Sequence, residues 1–404
     1  MIGIKRETLA IVMAFLFVTI LSWRFSASYF SYALIVWGVF FIADGVYSWK
    51  RGYPFIPKIT KPFLYMAFGI LGLYFLFIFS ALLHGDSRDI SKAVDHFSLT
   101  LPFFMTWWIS SKYDVKRGIH WGLLIGLAIA CIIGGYQWLQ HPGTRIMSSY
   151  AHPNHFGTMI NLMTPCIVYS AYKEKSALYR VLSALVVAAA LICLLMTDSR
   201  GALMGLMGAV ILGFGLSLWL LKDQASSKVK KIGAAFMVAV ILTGGAGAWC
   251  MQYDRGEVRF GGEREFMIEA SLQMWEDHKF TGVGADHWKE NYYGKYHPKE
   301  GRETFLDMPH NMPLYFLSTG GILGAAGYVL YLISTFLGLG MVIQKKKDFL
   351  LAIAMAVIFF SFLIQGMVDT TIINKIPARM YFALMGIVAA CLFLGRNSRE
   401  EIKK

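Results

Sequence analysis

The chain has 404 residues, of which 56% are hydrophobic and only 16% are charged, and its mean hydropathy is +0.51. This composition excludes a water-soluble globular protein, because the chain has too little polar surface to cover its apolar residues. The net charge of +13 would suggest nucleic-acid binding in a soluble protein, but in a membrane protein basic residues mainly orient the helices. Nucleic acid is therefore excluded as a partner.

Apolar runs long enough to cross about 30 Å of hydrocarbon follow one another along the chain. They lie at residues 8–23, 29–49, 62–83, 95–110, 118–139, 155–172, 177–196, 202–221, 232–252, 312–343, 348–367 and 377–394. The fourth is the weakest, and the glycines at 320, 321 and 324 are expected to bend or break the tenth near its outer end. The sequence thus predicts an all-α polytopic membrane protein with about twelve transmembrane helices.

Three regions follow from this reading. Residues 1–252 hold nine predicted spans, residues 253–311 form one long hydrophilic loop, and residues 312–404 hold three further spans and a polar tail. Most of the 38 Lys and Arg residues fall in alternate connections, which indicates the cytoplasmic side. Both termini are therefore predicted to be cytoplasmic, and the long loop to lie on the outer side of the membrane.

The loop at 253–311 contains the clearest helical pattern outside the membrane. Residues Glu263 to Trp275 are predicted to form a helix with Phe266, Ala270 and Met274 on one stripe. A loop of this length usually binds a ligand or folds on its own. The five cysteines of the chain show no metal-ligand or disulfide spacing, so no metal site is predicted.

The segment Tyr150-Ala-His-Pro-Asn-His-Phe-Gly157 precedes the sixth predicted span. Its Pro153 and Asn154 are typical of a turn that starts a helix at the membrane surface. The polar side chains of His152 and Asn154 would equally suit the head group of a ligand. Both interpretations remain open from the sequence.

The segment Thr197-Asp-Ser-Arg-Gly-Ala202 forms a tight turn between the seventh and eighth predicted spans. Arg200 offers a planar fork of donors that suits phosphate oxygens, at a place where a helix end supplies free amides. Asp198 and Ser199 lie beside it and are further candidates for the site. The alternative is an interfacial arginine paired with Asp198.

Polar residues also flank the tenth and eleventh spans. Arg264 begins the predicted loop helix, where a solvated charge is an equally good explanation. His310 and Asn311 end the loop, and a histidine there can act as a general base on a sugar hydroxyl or simply cap the next helix. Asp369, at the outer end of the eleventh span, is either a further site residue or a partner in a cap or salt bridge.

Together these elements resemble the O-antigen ligase family, which is related to O-antigen polymerases and to bacterial protein O-oligosaccharyltransferases. The ligase pattern of His-Asn, nine residues and Gly-x-x-Gly fits His310-Asn311 and Gly321-Ile-Leu-Gly324 without a gap. Ser199-Arg200-Gly201 matches the family's Ser-Arg-Gly element. Arg264 and Ile268 match its Arg-x-x-x-hydrophobic element, which precedes a Gly-x-Gly turn, here Gly282-Val-Gly284. In one departure, Lys279-Phe280 stands where relatives commonly carry proline.

The resemblance implies a GT-C-like glycosyltransferase core in the bacterial inner membrane with a periplasmic active site. The donor would be a glycan on undecaprenyl diphosphate and the acceptor a sugar of the lipid A-core oligosaccharide, with both substrates embedded among membrane lipids. The resemblance also implies inversion at the anomeric carbon without a metal, nucleotide sugar or other cofactor. Arg200 and Arg264 would bind the diphosphate, and His310 would be the catalytic base.

Three alternatives remain. An O-antigen or exopolysaccharide polymerase uses the same donor, but often has two substantial outer loops where this chain has one. A protein O-oligosaccharyltransferase commonly carries a larger outer C-terminal region. A membrane transporter or lipid flippase is compatible with twelve spans, but transport sites tend to place ionisable residues at the membrane midplane, and here they gather at the outer interface.

Overall fold

The computed structural model describes residues 6–222 except 25 and 27, residues 262–299, 301 and 305–390, and the isolated positions 227, 231 and 238. These residues contain helices and no β-strand, which confirms the predicted all-α fold class. The ninth predicted span, 232–252, lies outside the described residues apart from position 238. The division of the chain at 252 and 311 stays a prediction.

The described helices follow the predicted spans closely. They are α1 (Arg6–Ser22), α2 (Tyr29–Arg51), α3 (Lys61–His84), α4 (Ser87–Ser98), α5 (Leu101–Lys112), α6 (Lys116–Gln140), α7 (Pro153–Lys173), α8 (Ala177–Met196), α9 (Arg200–Leu220), α10 (Glu263–Asp277), α11 (Trp288–Asn291), α12 (Met312–Lys346), α13 (Phe349–Gly366) and α14 (Lys375–Ala389). Seven of them, α2, α3, α6, α8, α9, α12 and α13, are long and apolar enough to cross a membrane. The chain is therefore a multi-pass membrane protein.

The fourth predicted span is wrong as a single helix. The chain breaks at residues 99–100 into α4, which is polar on one face, and the apolar α5. Pro102 explains the break, because proline has no N–H to donate and its ring clashes with the carbonyl four residues earlier. With 12 residues, α5 is only about 18 Å long, too short to cross the hydrocarbon by itself.

The core is built from helices that are far apart in the sequence. The most extensive contacts join α3 with α12, α9 with α13, α1 with α6 and α5 with α14. Two helices form the centre of this bundle. In α14 every residue from Ile376 to Ala389 is buried, and α7 packs against α6, α8, α9, α13 and α14. The starts of α7 and α14 are consequently fixed by packing on several sides.

Arg6 and Lys112, two of the basic residues in connections predicted to be cytoplasmic, lie together with the buried Asp44. The buried carboxylate of Asp44 in α2 accepts a hydrogen bond from Arg6 Nε at 2.7 Å and also binds Lys112 Nζ. Ser48, one turn along α2, accepts from both cations. These contacts join α1, α2 and α5 at the end of the bundle where the sequence placed Arg6 and Lys112.

The expected break in the tenth predicted span occurs at Gly321, whose φ of 60° and ψ of −154° interrupt α12. In an uninterrupted helix, the N–H of Ile322 would bond to the carbonyl of Ser318. Here the Ser318 carbonyl accepts from Val283 N at 2.8 Å, and Ile322 N donates to Lys279 O at 2.8 Å. The break in α12 therefore supplies the hydrogen bonds that hold the loop.

The loop has a small hydrophobic core of its own, separate from that of the bundle. Its members come from α10, the turns around it and α11 with the π-helical turn that follows: Met267, Ala270, Met274, Val283, Trp288, Tyr292, Tyr296 and Leu306. The predicted loop helix is confirmed and ends at Asp277. One member of the predicted stripe is wrong, since Met267 is buried where Phe266 was expected. We call residues 263–299 with 305–309 the loop module.

Candidate active site

A cavity of about 350 Å³ opens between the loop module and the bundle. It is lined mostly by polar side chains from helix ends and the segments that connect helices: Arg145, His152, Asn154, Asp198, Arg200, Gly201, Glu263, Arg264, Met267, Leu306, His310, Gln365, Val368 and Asp369. The structure thus brings into one cavity seven candidates that the sequence placed on five separate segments: His152, Asn154, Asp198, Arg200, Arg264, His310 and Asp369. Volumes of this order are typical of small-molecule sites.

Four helices begin around this cavity. Lining residues His152 and Arg200 stand at the starts of α7 and α9, Glu263 is the first residue of α10, and His310 precedes α12 by two residues. The first amide groups of a helix lack partners within the helix, and the helix dipole places partial positive charge at this end. The arrangement favours a negatively charged ligand.

Two of these helices are preceded by a residue with the same uncommon backbone conformation. Asp198 before α9 and His310 before α12 have φ angles of 47° and 46°, a left-handed conformation that few non-glycine residues adopt. The next residue in each case caps the helix: Ser199 Oγ accepts from Ala202 N, and Asn311 Oδ1 accepts from Leu314 N. Ser199 and Asn311 do not line the cavity. They hold the turns that present Asp198 and His310.

Arg200 and Arg264 face the cavity from the first turns of α9 and α10. Among the described residues, neither guanidinium forms an ion pair, so the expected alternative of an Arg200–Asp198 pair is absent there. Both side chains are exposed. They are placed to pair with a ligand that carries phosphate oxygens.

A third arginine was missed by the sequence reading. Arg145 Nε donates to Thr197 O at 2.9 Å, and its Nη2 donates to Asn154 Oδ1 at 3.2 Å. Arg145 thereby ties the turn before α9 to the start of α7. In the sequence it is one basic residue in a short connection, and only its proximity to the 150–157 segment could have drawn attention to it.

His310 and Asp369 form the only pair in the cavity with an imidazole beside a carboxylate, among the residues that the structure describes. His310 Nδ1 lies 3.5 Å from Asp369 Oδ1, and the Asp369 side chain is only 7% exposed. Burial raises the pKa of Asp369, but its hydrogen bonds with His310 and with Thr370 N outweigh burial, so this pKa lies below its ordinary value. Asp369 is therefore a carboxylate oriented toward His310.

His152 both caps a helix and lines the cavity, so the two interpretations of its segment are compatible. Its Nδ1 accepts a hydrogen bond from Asn154 N at 3.1 Å. Burial lowers the pKa of His152, which favours the neutral ring that can accept this bond. The backbone carbonyl of Asn154 accepts from Gln365 Nε2 at 3.2 Å. Gln365 and Glu263 are further lining residues that the sequence analysis did not single out.

Comparison with known proteins agrees with the motif analysis. Residues 185–329 match the model of a family described as O-antigen ligase. No curated protein matches the chain. The matched segment includes Arg200, Arg264 and His310, whereas Arg145 and Asp369 come from outside it. The flanking segments therefore complete the cavity around the matched part.

Proposed function

Because the chain carries an O-antigen ligase family domain at residues 185–329, we propose that it transfers an O-antigen glycan from undecaprenyl diphosphate to the lipid A-core oligosaccharide. At a coarser level, the matched family consists of membrane enzymes that transfer glycosyl groups as ligases or polymerases, and the match supports an activity of this kind. The specific donor and acceptor are our proposal. The observation that carries it is one cavity holding a histidine–carboxylate pair and two arginines that form no ion pair with any described residue.

Loss of the diphosphate leaving group requires stabilisation of negative charge as the glycosidic bond breaks. Arg200 and Arg264 lie on the cavity wall without ion-pair partners among the described residues, and each stands in the first turn of a helix, where the helix dipole is positive. Guanidinium groups bind phosphate oxygens through paired hydrogen bonds. We therefore assign the diphosphate to this wall of the cavity.

His310 is placed to be the general base. With Nδ1–H directed at the Asp369 carboxylate, Nε2 keeps the lone pair that can take a proton. The acceptor hydroxyl gives its proton to Nε2 while its oxygen bonds to the anomeric carbon. The bond from that carbon to the diphosphate oxygen breaks, and the lipid diphosphate leaves with the electron pair. Direct displacement inverts the anomeric centre, and the scheme requires no metal or other cofactor.

The position of the cavity suits lipid substrates. It lies at the end of the bundle opposite the Asp44 cluster, where the sequence predicted the periplasmic side. Two lipid-linked substrates could then place their polar groups at this surface while their tails stay in the bilayer. We place the protein in the bacterial inner membrane with both termini cytoplasmic and the active site periplasmic.

The test compares two measurements on a strain that lacks the gene. Lipopolysaccharide is separated on a gel, and the glycans attached to undecaprenyl diphosphate are analysed from the same cells. The expected result is bare lipid A-core with long polymer retained on the carrier. Wild-type protein and the control variant His278→Ala, changed at an exposed loop residue, should restore the ladder, and His310→Ala should not.

Other outcomes would contradict the proposal. Core bearing a single repeat would mean that the protein is a polymerase. An unchanged ladder with a normal carrier pool would mean that it acts in transport. Full activity of purified His310→Ala would leave the ligase assignment standing but remove His310 as the base.

A further inference from the structure

A second group of polar side chains lies away from the cavity, where the loop module meets α3 and α4. His84 ends α3, Asp89 lies in the first turn of α4, and His287 precedes α11. His84 Nδ1 lies 2.6 Å from Asp89 Oδ2, and His287 Nδ1 lies 2.9 Å from Asp89 Oδ1. The Asp89 side chain is completely buried. None of the three residues lines the cavity.

His287 has a carboxylate at each ring nitrogen. Asp89 faces Nδ1, and Asp86 Oδ2 lies 3.2 Å from Nε2. A neutral imidazole carries one N–H and can donate to only one of them. Both carboxylates have another donor, Arg88 N for Asp86 Oδ1 and Asp286 N for Asp89 Oδ1. The second carboxylate contact of the imidazole nevertheless requires a positive charge between the two groups, which a bound cation would supply. This arrangement is typical of metal-bound histidines, which coordinate through one nitrogen and donate from the other to a carboxylate.

Arg88 also reaches Nε2 of His287. Its guanidinium has another partner, since Nη1 donates to Glu290 Oε1 at 2.9 Å. Arg88 therefore keeps an ion pair when Nε2 carries a hydrogen and donates to Asp86. Metal coordination at Nδ1 therefore requires Arg88 Nη2 to move away from Nε2, because two N–H donors cannot share that contact.

We propose that His84, Asp89 and His287 bind a divalent transition-metal ion, with zinc as the best match. Imidazole nitrogen and carboxylate oxygen are common zinc ligands, and a tetrahedral site of this kind leaves a fourth position for water. The potential ligand atoms all lie within 4.8 Å of one another. Ligand atoms around tetrahedral zinc are about 3.3 Å apart. The distances of 2.6 and 2.9 Å from Asp89 to His84 and His287 must therefore each lengthen by roughly half an ångström when the ion binds. His84 is 28% exposed at its side chain and has room to move.

The ion would fasten the loop module to the bundle. Asp286 N donates to Asp89 Oδ1 at 2.8 Å, and Gly284 packs so closely that a Cβ there would lie 2.3 Å from Asp89 Oδ2. Gly284 N in turn donates to Thr319 O in the broken turn of α12. The same module carries Arg264 to the cavity. The role of the ion is structural, and it takes no part in the glycosyl transfer proposed above.

The test uses purified full-length protein, stripped with a chelator and then given zinc alone. After removal of free zinc, elemental analysis should find one tightly bound ion per chain, and the melting temperature should rise relative to the stripped protein. The double variant His84→Gln/His287→Gln should lose both the ion and the rise. His278→Gln, which removes an exposed histidine from the same module, should keep both.

Equal zinc content in the wild type and the double variant would overturn the proposal, as would the absence of any retained ion in the wild type. A second measurement does not depend on folding of the variants. Cobalt added to stripped wild-type protein should give the intense visible absorption of a tetrahedral site. If only the weak absorption of hydrated cobalt appears, the cluster is a hydrogen-bonded contact and not a metal site.

Discussion

Gly321 approaches the backbone of Phe280 so closely that a Cβ on Gly321 would lie 2.3 Å from the Phe280 carbonyl oxygen. The two residues belong to the break in α12 and to the loop module. With a φ of 60° and a ψ of −154°, Gly321 also has a backbone conformation that is essentially restricted to glycine. Contact and conformation both require glycine at the junction that holds the loop module on the bundle.

Gly321→Ala should therefore detach the loop module. We expect a loss of stability of at least about 2 kcal/mol, from backbone strain and the clash together, and a nearly complete loss of glycosyl transfer. Thermal unfolding in detergent and limited proteolysis of the loop would measure the effect. Gly340→Ala in the same helix, where a Cβ meets nothing within 4 Å, is the matched control and should be neutral. Equal behaviour of the two variants would show that the junction does not depend on this contact.

The His310–Asp369 pair predicts a graded loss of rate. His310→Ala removes the base and should lower the transfer rate by roughly 10²- to 10⁴-fold. Asp369→Asn keeps the shape but not the charge that orients the ring, and should lower the rate by a smaller factor than His310→Ala. Initial rates with a purified lipid-linked donor, together with donor binding, would check this. Binding should change little. Asp277→Asn, at an exposed carboxylate bonded to Lys295, should retain full rate. A greater loss in Asp369→Asn than in His310→Ala would exclude the proposed order of roles.

Donor binding by Arg200 and Arg264 should depend on the planar shape of the guanidinium group as well as on its charge. Replacing either with alanine should lower kcat/KM for the donor by about 10- to 150-fold, the range expected for one hydrogen bond to a charged group. Lysine should restore only part of the loss, because a point charge cannot form the paired bonds of a guanidinium. Steady-state kinetics with Lys279→Ala, an exposed loop residue, as control would test this. Full activity of both lysine variants would mean that only charge matters.

Arg145 is expected to act by holding the turn before α9 in position. The bonds to Thr197 O and Asn154 Oδ1 use two separate nitrogens of a planar guanidinium, which lysine lacks, so Arg145→Lys should raise the KM for the donor by about 10-fold. Arg180→Lys is the matched control, since Arg180 Nε also donates to a backbone carbonyl, Glu174 O at 2.7 Å, at a turn outside the cavity. Steady-state kinetics of both variants, with the donor concentration varied, would test this expectation. If they respond alike, the contacts of Arg145 are only structural.

The motif elements were predictable because each is local. The Gly-x-Gly turn at 282–284 and the Gly-x-x-Gly element at 321–324 were recognised separately, yet they bond to each other through Val283 N and Ser318 O. No periodicity encodes that pairing, because it depends on the three-dimensional path of a loop between two helices. The broken fourth span was missed for a simpler reason, since hydropathy outweighed the proline at 102.

A different limit of sequence-based prediction is shown by Arg145 and by the cluster of His84, Asp89 and His287. In the sequence, Arg145, His84 and Asp89 are ordinary members of short polar connections, and His287 is one polar residue of the long loop. Arg145 becomes part of the site only because α7 and α9 start side by side. His287 meets Asp89 only because the loop module folds back onto α4. Sequence patterns identify residue types, but proximity across about two hundred residues comes from packing.

The four helix starts around the cavity add a positive field that substitution of side chains does not remove. Each contributes about half a positive charge, so together they offset about two of the three negative charges of Asp198, Glu263 and Asp369. Because this field belongs to the peptide backbone, it is also unaffected by changes in pH. In a chain stripped of all three arginines, the carboxylates of Asp198, Glu263 and Asp369 would outweigh this field, so the cavity should repel the lipid-linked donor.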